Sequence, residues 1–284
     1  MSSRLVKLAH PQAARPPSPR SAAAARPWLN GLARTGLIAR GVIYLLLAYL
    51  AVEIALNGRS APQASSQGAL QEVARQREGL VLLGVLAFGL GAYGLWRLSV
   101  AIFGGLAPRH HGAPARLGAL ATAIVYFSLC TQAVVIVIGG SRTGASSTNP
   151  TPFAARVLSW PHGAQLLEVA GGLIIAAGIA LAVRGLFRNY AKDLETKQMT
   201  ESRYRLIKVL GGIGELTRGG LVALIGWYVF EAGRVSDPSR VKGTDATLRS
   251  ISQHTYGTVV LVAVALGLAC FGLYSFLDAR FRSL

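Results

Sequence analysis

The sequence predicts an all-α integral membrane protein with six transmembrane helices, arranged as three helical hairpins in parallel repeat. Three observations carry that prediction. Of 284 residues, 52% are apolar and 14% charged, with a mean hydropathy of +0.43, whereas about a quarter of a soluble domain is charged. Six continuous apolar runs are each long enough to cross a hydrocarbon core of about 30 Å, which takes roughly 20 helical residues. Residues 36–97 also overlay residues 214–275 without a gap, at a fixed offset of 178.

The overlay matches glycines and ions as well as apolar positions. Gly36 falls on Gly214, Arg40 on Arg218, Gly41 on Gly219, Glu53 on Glu231, Leu70 on Leu248, Gly79 on Gly257, Gly89 on Gly267 and Gly94 on Gly272. A worn third copy lies between them, where Gly118 and Tyr126 take the places of Gly36 and Tyr44, while Thr122 and Val135 replace the arginine and the glutamate. The chain therefore divides into a tail over 1–30 and repeats over 31–107, 113–192 and 205–284, the middle one degenerate.

Residues 1–27 are rich in Ala, Pro, Ser and Arg, with no acidic residue, and cannot bury enough surface to offset the entropy of ordering. A disordered basic cytoplasmic arm is expected, ending in a headgroup-level patch at Trp28, Leu29 and Leu32. The spans are predicted near 37–56, 80–103, 117–139, 164–186, 211–233 and 256–277. They are continuous and rich in Leu, Ala, Val and Gly, unlike the alternating ten-residue strands of a barrel. The first is not expected to be a cleaved signal, because its copy, the fifth, sits mid-chain.

The formal charge of +17 reflects topology rather than nucleic-acid binding. Of the 29 Lys and Arg residues, 20 fall on the side shared by both termini and the 2–3 and 4–5 loops. The positive-inside rule makes that side cytoplasmic, and its basic charge attracts anionic lipid. Cys130 and Cys270 sit inside apolar runs and read as small packing residues.

Each outer loop, about 23 residues long, exceeds what a helix hairpin needs and holds a candidate short helix. Ser66, Thr151-Pro152 and Thr244-Asp245 supply helix starts. Apolar pairs three apart follow: Leu70 and Val73, Ala154 and Val157, Leu248 and Ile251. These helices are expected to lie on the outer interface. Ser141–Pro152 reads as mobile, and Phe187–Lys208, with mixed charges, as a solvated helical extension. Glycines within the spans, among them Gly36, Gly41, Gly89, Gly94, Gly214, Gly219, Gly267 and Gly272, suit close helix packing in lipid.

Charges inside spans are the candidates for function, since each costs about 2.5 to 3.5 kcal/mol at a helix centre. Arg40, Arg97, Arg184 and Arg218 lie near the cytoplasmic ends, where snorkelling to phosphates gives a lipid-anchoring reading. Glu53, Glu168 and Glu231 lie near the outer ends, as bonds to the loop helices or as a cation or proton site. Glu215 stands one turn before Arg218, a spacing that lets the two pair; its counterpart in the first repeat is Leu37. The adjacent His110 and His111 lack a third ligand for metal. No HExxH, GxSxG, Walker A or dinucleotide motif occurs, so neither catalysis, cofactor nor metal is expected.

The first span, LARTGLIARGVIYLLLAYLAVE, with GLGAYGLWRL in the second, CFGLYSF in the sixth and the closing DARFRSL, resembles the bacterial membrane family named domain of unknown function 1206. Gly-x-x-x-Arg-Gly, at Gly36, Arg40 and Gly41 and again at Gly214, Arg218 and Gly219, is the most specific part. The resemblance covers residues 31–284 and implies repeated two-helix modules in a bacterial plasma membrane, with no activity attached. The expectation is a non-catalytic scaffold or partner-binding membrane protein; the alternative is a small transporter or channel with these arginines and glutamates lining a cavity.

Overall fold

A computed structural model of the chain describes residues 27–103, 113–139, 150–187 and 201–281. Six long helices carry the apolar runs: α1 (Pro27–Asn57), α3 (Gly79–Phe103), α4 (Ala113–Gly139), α6 (Gly163–Leu186), α7 (Glu201–Val235) and α9 (Gly257–Phe281). Each is long and apolar enough to span a membrane. Three short helices, α2 (Ser66–Arg75), α5 (Thr151–Leu158) and α8 (Thr244–Ser252), follow the first, third and fifth spans. The arm over 1–26, His110-His111, most of Ser141–Pro152 and residues 188–200 of the charged linker lie outside the described residues.

Local chemistry accounts for the short helices. Ser65, one residue ahead of the expected start, caps α2 by accepting from the Gly68 amide at 3.0 Å. Pro152 opens α5, where a missing N–H costs nothing. Every short helix then turns into the next span the same way. The amides of Gly79, Gly163 and Gly257 donate to the carbonyls of Gln76, Trp160 and His254 at 2.9, 2.9 and 2.7 Å. A Cβ on any of these glycines would collide with the carbonyl six residues earlier, that of Val73, Val157 or Ile251. This turn survives in the middle repeat, whose other signals have decayed.

Six successive spans put the start of α1 and the end of α9 on one face and the short helices on the other. In cross-section the spans form a ring in sequence order, closed by α9 packing on α1. One joint is open: among the described residues α4 and α6, the spans of the middle repeat, do not pack on each other as the other neighbours do. The closest joint is α6 on α7. Glycines recur every seven residues on both helices, at 171, 178 and 185 and at 212, 219, 226 and 233. That period keeps one face of each helix along the seam. A Cβ on Gly226 would lie 2.7 Å from the Ile175 amide, and one on Gly233 would lie 2.7 Å from the Glu168 amide.

Repeats one and three are tied together at the short-helix face. Asp245 on α8 accepts from the Ala64 amide at 2.8 Å. Arg249, one turn later, is held by Asp245 at 3.0 Å and donates to the carbonyls of Gly58, Ala61 and Pro62 at 3.1, 2.8 and 3.3 Å. The corresponding positions in the first repeat are Gln67 and Gln71, which carry no charge. Arg249→Ala is expected to free the 58–65 segment, read as faster amide exchange there, and to cost about 1.5–3 kcal/mol through lost charge-assisted bonds.

Candidate functional site: an arginine–aromatic cluster drawn from three repeats

The Gly-x-x-x-Arg spacing places the two residues one turn apart on the same face of a helix. In α1 that face meets Tyr93 of α3. A Cβ on Gly36 would lie 2.6 Å from the Tyr93 Cα, and Arg40 stands over the Tyr93 ring at 5.6 Å. In α7 the same face meets Phe271 of α9, the repeat equivalent of Tyr93. A Cβ on Gly214 would lie 2.6 Å from the Phe271 Cα, and Arg218 stands 5.2 Å from the ring. The motif is thus a packing device: the glycine lets two backbones close, and the arginine lies across the aromatic that fills the gap. In α4 the device is gone. A Cβ on Gly118 would meet nothing, Thr122 donates to its own helix at the Gly118 carbonyl, and Ile175, in the aromatic's place, packs against α7 instead.

The other glycines serve the same closing. Gly89 meets Ala39 and Gly267 meets Thr217, an equivalent pair of contacts in the two good repeats. Gly41 and Gly272 face each other across α1 and α9, Gly94 faces Phe127 of α4, and Gly219 faces Gly178 and Ala182 of α6.

Arg40 is buried, with 6% of its surface exposed. Its Nε donates to the Ser275 hydroxyl at 3.1 Å, Nη1 to the Tyr93 hydroxyl at 3.0 Å and Nη2 to Asp278 at 3.5 Å. The snorkelling expected of Arg40 does not occur: Asp278, inside the bundle, offers it a countercharge, so it has no need of a headgroup. Phe271 is shared between the Arg40 and Arg218 guanidinium groups, 5.0 and 5.2 Å from its ring. Arg97 donates to the same Tyr93 hydroxyl through Nε and Nη2, at 3.1 and 2.8 Å. Glu215, nearly fully buried, lies 3.7 Å from Arg218 and 4.0 Å from the half-exposed Arg184. A single connected set therefore runs from Arg97 through Tyr93, Arg40, Phe271, Arg218 and Glu215 to Arg184.

The glutamates of the opposite face do not join it. Glu53 accepts from Asn57 of its own helix at 2.5 Å, and among the described residues it makes no bond to its loop helix. Its repeat partner Glu231 instead pairs at 3.2 Å with Arg240 in the loop of its own hairpin. Glu168 is half-buried on α6. In the same loop the Ser239 hydroxyl and amide donate to Asp237 at 2.7 and 2.9 Å, and with Arg240 nearby they hold its carboxyl below the usual carboxylate range. A depressed pKa stabilises the turn above the ordinary carboxylate pKa and is lost as pH falls through the depressed one. Exchange of the Ser239 amide is accordingly expected to quicken on the acid side of that range, and Asp237→Asn to abolish the change.

Tyr93, Tyr126, Phe271, Ser275 and Asp278 carry much of the cluster and are absent from the sequence-based site. Asp278 had a faint signal, an acid one residue past the predicted end of the last span. Its repeat equivalent is Val100 and that of Ser275 is Arg97, so the overlay could not single them out. The cluster offers cations, phenols and two carboxylates. No three metal-ligating side chains come together among the described residues.

Six apolar spans built from repeated two-helix units around an arginine–aromatic cluster define a multi-pass helical membrane protein of repeat architecture. The chain belongs to the family described as Domain of Unknown Function (DUF1206), whose model matches it twice, over residues 35–104 and 213–282. Both stretches contain the Gly-x-x-x-Arg-Gly motif. An uncharacterized protein of Bacillus subtilis, YxxB, is 28% identical over 259 residues, covering 90% of this chain and 92% of that protein. No catalytic family is indicated, and no solved structure matches.

Proposed function

We propose that this protein is a non-catalytic membrane scaffold, a rigid helical ring whose open joint between α4 and α6 receives a partner. It sits in the bacterial plasma membrane with both termini cytoplasmic, its basic face against anionic lipid. The observation that carries this reading is the closure of Arg40 by Ser275, Tyr93 and Asp278 across repeats one and three. An intramembrane charge so fully engaged holds helices together rather than meeting a solute. A groove of about 420 Å³ between α3 and α4, lined by Gly84, Gly91, Cys130 and Val134, is apolar and belongs to the lipid-facing surface.

Photo-crosslinkers placed at the exposed Ile124 and Leu173, in native membranes, test the scaffold reading. Recurrent capture of one defined partner, lost when α4 and α6 are exchanged for polyleucine faces, is the expected result. Recovery of lipid and the protein alone, together with a deletion strain lacking any phenotype, overturns it. The second reading, a small transporter, is favoured by Arg218, which faces the ring interior without a hydrogen bond; solute flux in proteoliposomes that vanishes in Arg218→Gln would replace the scaffold reading.

A further inference from the structure

Tyr44 in α1 and Tyr126 in α4 occupy equivalent places in the first two repeats, and Arg218 in α7 comes from the third. The helices that bear them are separated around the ring by the intervening spans and do not pack extensively on one another. Their side chains nevertheless converge. Arg218 stands 5.9 Å from the Tyr44 ring, the Tyr44 ring lies 4.5 Å from the Phe271 ring that Arg40 and Arg218 share, and the Tyr126 ring lies 4.5 Å from Tyr93, which bonds Arg40.

Arg40 and Arg218 are repeat equivalents with different fates. Arg40 places each guanidinium nitrogen on an acceptor. Arg218 makes no hydrogen bond to any described residue: its Nε is buried without an acceptor, and Glu215 approaches only to 3.7 Å. Glu215, whose side chain is 6% exposed, likewise leaves Oε2 without a donor. The hydroxyls of Tyr44 and Tyr126 make no hydrogen bond to described residues either. A buried guanidinium donor without an acceptor is destabilising, and four arginines (40, 97, 184 and 218) face two carboxylates (Glu215 and Asp278) here, an excess of positive charge.

We propose that the interior of the ring holds an oxyanion-binding site, built from Arg218, Tyr44 and Tyr126 with Arg40 beside it, that takes a phosphate group. A guanidinium fork and two phenols supply more donors than a carboxylate needs, and suit the several oxygens of a phosphate monoester, phosphodiester or free phosphate. The phosphate can arrive on a lipid headgroup or as a free ion. A lipid headgroup would enter by the open joint, which α4, the helix that carries Tyr126, borders. This inference is independent of the scaffold reading: a scaffold with a bound phosphate and a scaffold without one are both possible proteins.

The test uses the full chain purified in neutral detergent, titrated in one arm with inorganic phosphate and in the other with phosphatidylglycerol micelles. Thermal unfolding and native mass spectrometry give the readout. A saturable rise in unfolding temperature with one bound equivalent, in either arm, is expected and identifies the source. Arg218→Gln should abolish it; Tyr44→Phe and Tyr126→Phe, which keep the packed rings should Arg218→Gln not fold, should each weaken it about tenfold, the worth of one hydrogen bond to a charged group. Arg240→Gln, which breaks only the pairs with Glu231 and Asp237 on the opposite face, should leave it unchanged. No saturable response in either arm, or an equal response in all variants, overturns the site and leaves an ordered water on Arg218.

Discussion

Arg40→Leu is expected to lower the stability of the purified protein by about 3–5 kcal/mol, read as a fall in thermal unfolding temperature in detergent. The loss does not come from the hydrogen bonds alone. With the guanidinium gone, Asp278, 3% exposed, loses the Arg40 cation inside the bundle, the Ser275 hydroxyl loses its Arg40 donor, and the Tyr93 hydroxyl is left with Arg97. Because desolvating two ions consumes much of what their attraction returns, Arg40→Leu combined with Asp278→Leu should recover most of the loss. Arg40→Lys should fall between, since an ammonium cannot reach three acceptors in one plane or cover the Phe271 ring as a guanidinium does. If Arg40→Leu leaves the unfolding temperature unchanged, the inward pair is not what joins repeats one and three.

Gly219→Leu is expected to separate α6 from α7 and to be among the most damaging substitutions in the chain, whereas Gly220→Leu, one residue away, should change stability by less than about 0.5 kcal/mol. A Cβ at 219 would lie 2.5 Å from the Ala182 amide nitrogen and 2.6 Å from the Gly178 carbonyl oxygen, while at 220 it would meet nothing. Backbone atoms cannot rotate aside as a side chain can, so the helices must part along the seam. Overpacking costs about 1–3 kcal/mol in a soluble core. Here it also opens neighbouring glycine contacts, because van der Waals contact rather than apolar burial joins helices in lipid. The check is limited proteolysis of the α6–α7 unit beside thermal unfolding, with the two variants compared.

Some of this was legible in the residues. The six spans follow from length and hydropathy, and the short helices from a polar or proline start ahead of apolar residues three apart. These are local properties, decided within a few turns of chain. The matched Gly-x-x-x-Arg flagged a helix face with a purpose, and the seven-residue glycine spacing in α6 and α7 was available to be read as a seam. What faces that purpose was not legible. Nothing local says that the aromatic under Gly36 is Tyr93, that Ser275 and Asp278 lie 235 and 238 residues from Arg40 in sequence yet bond to it, or that Glu53 and Glu231, matched in the repeat, make different bonds.

The sequence by itself determined a membrane protein of repeated two-helix units, because the cost of exposing backbone and charge to lipid constrains every span separately. The tertiary structure alone decided that the ring closes between α1 and α9, stays open between α4 and α6, and turns Arg40 inward. Those outcomes depend on which helix supplies a glycine face, an aromatic and a countercharge at one depth, and that is a property of pairs of helices rather than of any one of them.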